Sequence, residues 1–135
     1  MVVPLINEAC GWLLVGLGIA AGIWMGIGFR QDGWLGGYDA WPRRLVRLGH
    51  IALIALGMLN ILFAQSAARI ALSLVWLDIA GWSLVAGAVL MPTCCAIAAF
   101  RRGAVGLFVL PVVCLGVGVT VTWVGLFARM IGGVR

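Results

Sequence analysis

Four apolar stretches take up nearly the whole of this chain, roughly Ala9–Phe29, Leu45–Ala64, Leu72–Phe100 and Gly103–Ala128. A run of about 18 or more residues with few charges is long enough to cross the hydrocarbon layer of a bilayer. The four runs therefore predict an all-α polytopic membrane protein. The links between them are short, which makes sequential helices antiparallel neighbours. The expected architecture is a single domain over residues 1–135, an up-down-up-down bundle of four transmembrane helices.

Composition narrows the function classes. At 64% hydrophobic and 10% charged residues, the chain is far from a soluble domain, in which about a quarter of residues are charged. The links leave no material for a catalytic or binding module outside the membrane, so neither an autonomous enzyme nor a soluble substrate is expected. All nine basic residues are arginine. Several lie at the ends of apolar runs, and no basic surface free of the membrane is left for nucleic acid. Paired carboxylates, phosphate-cradling loops and metal-ligand clusters are absent from the sequence. Cys10, Cys94, Cys95 and Cys114 read as small apolar residues within or beside the helices. The first run has no basic residue ahead of it and exceeds a signal-peptide core, so it is expected to stay in the mature protein.

Arginine placement sets an expected orientation. Arg30, Arg43, Arg44 and Arg47 flank the first connection and Arg101 and Arg102 the third, whereas Arg69, Arg129 and Arg135 lie on the opposite side. By the positive-inside rule the first and third connections face the cytoplasm and both termini face outward, in a membrane of the bacterial cytoplasmic type. Arg43, Arg44, Arg47, Arg101 and Arg102 are expected to reach lipid headgroups. Trp12, Trp76, Trp82 and Trp123 form the outer aromatic belt, Trp34, Tyr38 and Trp41 the inner one, and Trp24 is expected to pack more deeply.

Gly18, Gly22 and Gly26 repeat every fourth residue and offer a stripe for close helix approach. The stripe serves either the bundle itself or a partner subunit. Pro92 and Pro111 are placed inside the third and fourth helices, where each frees a carbonyl (Ala88 and Leu107). Thr93 is the nearby hydroxyl for the first, and the two kinks suggest a pocket in the inner half.

His50 is the sole histidine. It shares a helical face with Arg43, Arg47, Ile54, Gly57 and Ile61. An imidazole there, with Gly57 leaving room beside it and basic residues at the mouth, is a candidate haem ligand. The second axial ligand has no histidine to supply it, leaving Met91, Met58 or another subunit. The alternative is an imidazole bonded to a backbone carbonyl or headgroup. Asp78 is a carboxylate near the outer membrane depth. It either pairs with Arg69 or Arg129, or lines a polar cavity with Asn60, Ser83, Thr120 and Thr122. Glu8, with Asn7, is placed at the lip of the first helix, favoured there by the helix dipole.

These features point first to a small accessory subunit of a larger membrane complex, respiratory or electron-transferring, embedded in lipid among other subunits, which braces partner helices, seals lipid at their edge or contributes His50 to a shared cofactor site. The other reading is a small homo-oligomeric transporter or channel built on Asp78 and Asn60.

Overall fold

A computed structural model describes residues 2–70 and 72–132. Arg135, counted above among the arginines of the outer side, and Ala71, in the second link, lie outside the described residues. The described residues form four long helices: α1 (Val2–Gly28), α2 (Trp41–Ser66), α3 (Leu74–Phe100) and α4 (Val109–Gly132). All four spans are long and apolar enough to cross a membrane. A helix of 27 residues, such as α1 or α3, is about 40 Å long, so its ends extend past a hydrocarbon layer about 30 Å thick.

Two helices begin earlier than the apolar runs suggest. Helix α1 starts at Val2 rather than near Ala9, because Val3, Pro4 and Asn7 are buried and a proline in a first turn loses no hydrogen bond the helix would have made. Glu8 is therefore inside the helix, not at its lip. Helix α2 starts at Trp41 rather than Leu45, after extended Ala40, with Pro42 in its first turn. Pro111 is a further correction. Residues 102–108 form a tighter 3-10 segment and α4 begins only at Val109, so Pro111 sits in a first turn and kinks nothing.

Helices pack in chain order, α1 on α2, α2 on α3 and α3 on α4, with α1 also touching α3. The hub is α3, and its sequence explains why. Small residues fall in pairs seven apart: Ala80-Gly81, Gly87-Ala88 and Cys94-Cys95, all buried. Adjacent residues on a helix point about 100° apart, so each pair serves two neighbours. The first members face α4 and the segment before it. Gly87 lies against Leu115, the Ala80 carbonyl against Gly118, and Cys94 Sγ approaches the Leu107 carbonyl at 3.6 Å. The second members face the other way. Gly81 lies against Val3, Asn7 and Phe63, and Cys95 against Gly49.

The fourth helix is held by a thinner seam, with Pro111, Gly118 and Gly125 buried at the same seven-residue spacing. The α1–α2 contact is also built on glycine. Gly11 meets Gly57 and Ile61, Gly18 meets Ile54, and Gly22 meets His50. Gly26 has no atom within 4 Å of where its Cβ would stand. The predicted stripe therefore divides, its first two members packed against α2 and its third open.

The connection between α1 and α2 folds back over the end of α1. Leu35, Gly36 and Gly37 take φ of 53°, 87° and 94°, a reversal that glycine adopts freely and leucine only under strain. This carries Trp34 onto Gly28. Trp34 meets Trp24 edge-on at a centroid distance of 5.1 Å, so Trp24, 53% exposed, packs on the loop rather than deep between helices.

Candidate functional site

Three polar groupings fall within the bundle, and the most enclosed joins two residues that the sequence reading keeps apart, Asn7 at the helix lip and Asn60 in an outer cavity. Asn7 and Asn60 are both completely buried. Asn7 Nδ2 donates to Asn60 Oδ1 at 2.8 Å and to the Gly81 carbonyl at 3.0 Å. Asn60 Nδ2 donates to the Leu56 carbonyl at 2.9 Å and toward that of Leu84 at 3.4 Å. Carbonyl oxygens only accept, which fixes both amide orientations. Asn7 Oδ1 has no hydrogen-bond partner and stands 2.8 Å from where a Cβ on Gly81 would be. The two amides thus tie α1, α2 and α3 together at one depth. A signal for Asn7 does exist: continuing the Gly18–Leu14–Gly11 face by one turn reaches Asn7, then Val3.

His50 projects from α2 into the α1 seam. Its Nδ1 lies 2.9 Å from the Gly18 carbonyl, and since a carbonyl oxygen only accepts, Nδ1 carries a proton and donates it. Gly22 presents its bare Cα to the ring, whose Cε1 is 2.9 Å from the position of a Cβ there. The room expected at Gly57 is filled, since a Cβ there would stand 2.8 Å from the Gly11 carbonyl and 3.0 Å from Val15. Met58 is 54% exposed and faces a groove with Trp12 and Gln65.

At the arginine-rich end, Arg43 departs from the expected headgroup contact. It is only 6% exposed. Its guanidinium lies 4.5 Å from the Phe29 ring centre, 5.7 Å from Tyr38 and 6.0 Å from Trp34. Nη1 reaches toward the Asp32 carbonyl at 3.4 Å, and Nε is buried without a partner. The early start of α2 puts Arg43 in its first turn, beneath the folded-back loop, where snorkelling is blocked. Aromatic faces attract such a cation. Arg47 lies 4.7 Å from the centre of the same Tyr38 ring. Arg44, Arg101 and Arg102 are exposed, as headgroup contact requires. Arg102 also lies over Trp41, whose Nε1 donates to the Ala98 carbonyl at 2.8 Å and so caps the end of α3.

The residues proposed to form an outer polar cavity are not brought together. Asn60 points inward, Ser83 is half-buried, and Asp78 and Thr120 are exposed. The Thr122 hydroxyl donates to Gly118 of its own helix at 2.7 Å. No ion pair within 4.0 Å forms among the described residues, so neither Arg69 nor Arg129 joins Asp78. Thr93 donates to Val89 at 2.7 Å and not to Ala88. Three grooves, one each between α1 and α2, α2 and α4, and α3 and α4, lie in the half away from the arginine-rich end, whereas the prolines point to a pocket in the inner half. Among the described residues no three His, Cys, Asp or Glu side chains cluster as a metal site. Comparison with known protein families, curated proteins and solved structures finds no match.

Proposed function

We propose that this chain is an accessory integral-membrane subunit that acts by packing its helices against those of a larger assembly. The observation that carries the reading is α4. It is the most apolar helix and the least buried, and it presents an open glycine, Gly116, where an added Cβ would meet nothing within 4 Å. On α1, Gly16 and Gly26 are open in the same way. Association in lipid depends on close approach at small residues rather than on apolarity, and these open glycines are where a partner helix would gain it.

Copurification tests the proposal. Native membranes solubilised in mild detergent should yield this chain with larger membrane proteins, and Gly116→Ile should release them without loss of helix content. Migration of the wild type as a lone small species sinks it. The competing transporter reading asks Asp78 and Asn60 to act together, although one is exposed and the other is locked to Asn7. It calls for flux in proteoliposomes that Asp78→Asn abolishes. An electron-transfer setting adds a cofactor at His50. A visible absorption band from the purified assembly, lost in His50→Ala, is its signature. The orientation we propose, with the arginine-rich end cytoplasmic and both termini outside, follows the exposed Arg30, Arg44, Arg101 and Arg102. Reporter fusions at each link test it.

A further inference from the structure

We propose that the groove between α2 and α4 holds an acyl chain of one anionic phospholipid, whose phosphate is bound by Arg69 and Arg129. Both helices flank α3 and leave a trough of about 200 Å³ floored by Leu84.

The two walls follow the same pattern. On α2, Leu59, Leu62 and Ser66 line the trough, and three residues further on, in the turn after α2, is Arg69. On α4, Val119, Thr122 and Leu126 line it, and three residues further on, in the last turn, is Arg129. Residues three and four apart share a helical face, so each apolar wall ends in a guanidinium at the same end of the bundle. Nothing polar interrupts the interior, because the Thr122 hydroxyl is turned to the Gly118 carbonyl. At the mouth, Arg69 Nη2 lies 3.4 Å from Ser66 Oγ. Trp123, 61% exposed, lines the trough near this end, at the depth where tryptophans meet headgroups.

The arrangement selects the ligand. The interior accepts a chain without hydrogen-bonding groups. Both arginines are exposed, and neither has a carboxylate within 4.0 Å among the described residues. A guanidinium offers paired donors that match phosphate oxygens. A phosphodiester above a hydrocarbon chain satisfies both requirements in one molecule. This inference needs the four helices to cross a bilayer and needs nothing from the accessory-subunit proposal.

The test uses the full chain, purified in mild detergent and stripped of lipid, then titrated separately with phosphatidylglycerol, phosphatidylcholine and inorganic phosphate. Native mass spectrometry and thermal unfolding supply the readouts. We expect one phosphatidylglycerol retained per chain in preference to phosphatidylcholine, with a rise in melting temperature. Each arginine at a lipid surface is worth about fivefold in binding, so the double variant Arg69→Gln, Arg129→Gln should lower phosphatidylglycerol binding about 25-fold and erase the preference. Arg30→Gln, exposed at the other end, should change nothing. Val119→Trp, which fills the trough and leaves both arginines, should weaken both lipids. Equal retention of the two lipids by the wild type overturns the proposal, as does unchanged binding in either the double variant or Val119→Trp. Displacement by inorganic phosphate at equal concentration makes it a free-anion site and overturns the lipid.

Discussion

Helices α3 and α4 carry the same device, small residues every seventh position, yet α3 is the most buried helix and α4 the least. The difference is one residue per repeat. The pairs of α3 present two flat faces about 100° apart, so α2 and α4 both approach closely. The single small residues of α4 present one line, and the rest of its surface is open. Apolarity runs the other way, since α4 is the most apolar. In lipid an apolar side chain gains little by leaving its surroundings, so close contact and polar pairing decide burial. Close contact and polar pairing coincide at Gly81, beside Val3, Phe63 and the Asn7–Asn60 pair.

The packing is most vulnerable there. Gly81→Leu should be the most damaging single change, because even a Cβ would clash with Val3 and stand 2.8 Å from Asn7 Oδ1 and 3.1 Å from Phe63. Overpacking of this kind costs about 3 kcal/mol or more, and the α1–α3 contact should be lost. Unfolding in mixed micelles reads the stability. A stability near wild type would mean that the α3 faces are not what holds the first three helices.

Asn60→Leu comes next. It removes the acceptor for one Asn7 amide hydrogen and leaves the Gly81 carbonyl as its remaining partner. A buried polar group stranded in this way costs about 1–2 kcal/mol. The double variant Asn7→Leu, Asn60→Leu should recover part of the loss, because no polar group is then left unpaired. A double-mutant cycle measures the coupling. Additive losses would remove the pair from the account of α1–α2–α3 cohesion.

Much of this architecture is legible in the sequence, and the places where it is not have physical causes. Hydropathy marks where lipid is met, so the four crossings and their alternation can be read directly. It does not mark where a helix continues through Val2–Glu8 or Trp41–Arg44, because those turns are held by tertiary contact (Val3 and Asn7 on Gly81, Trp41 on Ala98). Arg43 reads as an interfacial anchor from its neighbours in sequence. It becomes a buried cation because a loop with three left-handed residues folds Trp34 back over α1. The seven-residue pairing in α3 is visible in principle, but the four-residue glycine spacing of α1 is the more conspicuous pattern. His50 is placed on the correct face, and its partner, the Gly18 carbonyl, belongs to a backbone no side-chain pattern announces.

On α4, two glycines two residues apart separate seam packing from helix propensity. A Cβ on Gly118 would stand 2.6 Å from Leu84 Cγ and 3.1 Å from the Ala80 carbonyl. The side chain can shift and the carbonyl cannot, so Gly118→Ala should cost about 1 kcal/mol and push α4 outward from α3. A Cβ on Gly116 meets nothing within 4 Å. Gly116→Ala should therefore leave the isolated chain unchanged or stabilise it by about 0.5 kcal/mol, the helix-propensity gain of alanine over glycine. Thermal unfolding of both variants in one detergent isolates the seam from propensity, since the two residues share a helix and a depth. Equal effects would show that α4 is not seated at Gly118. A loss at Gly116 confined to native membranes, with none in the purified chain, would locate a contact made by another protein on this face.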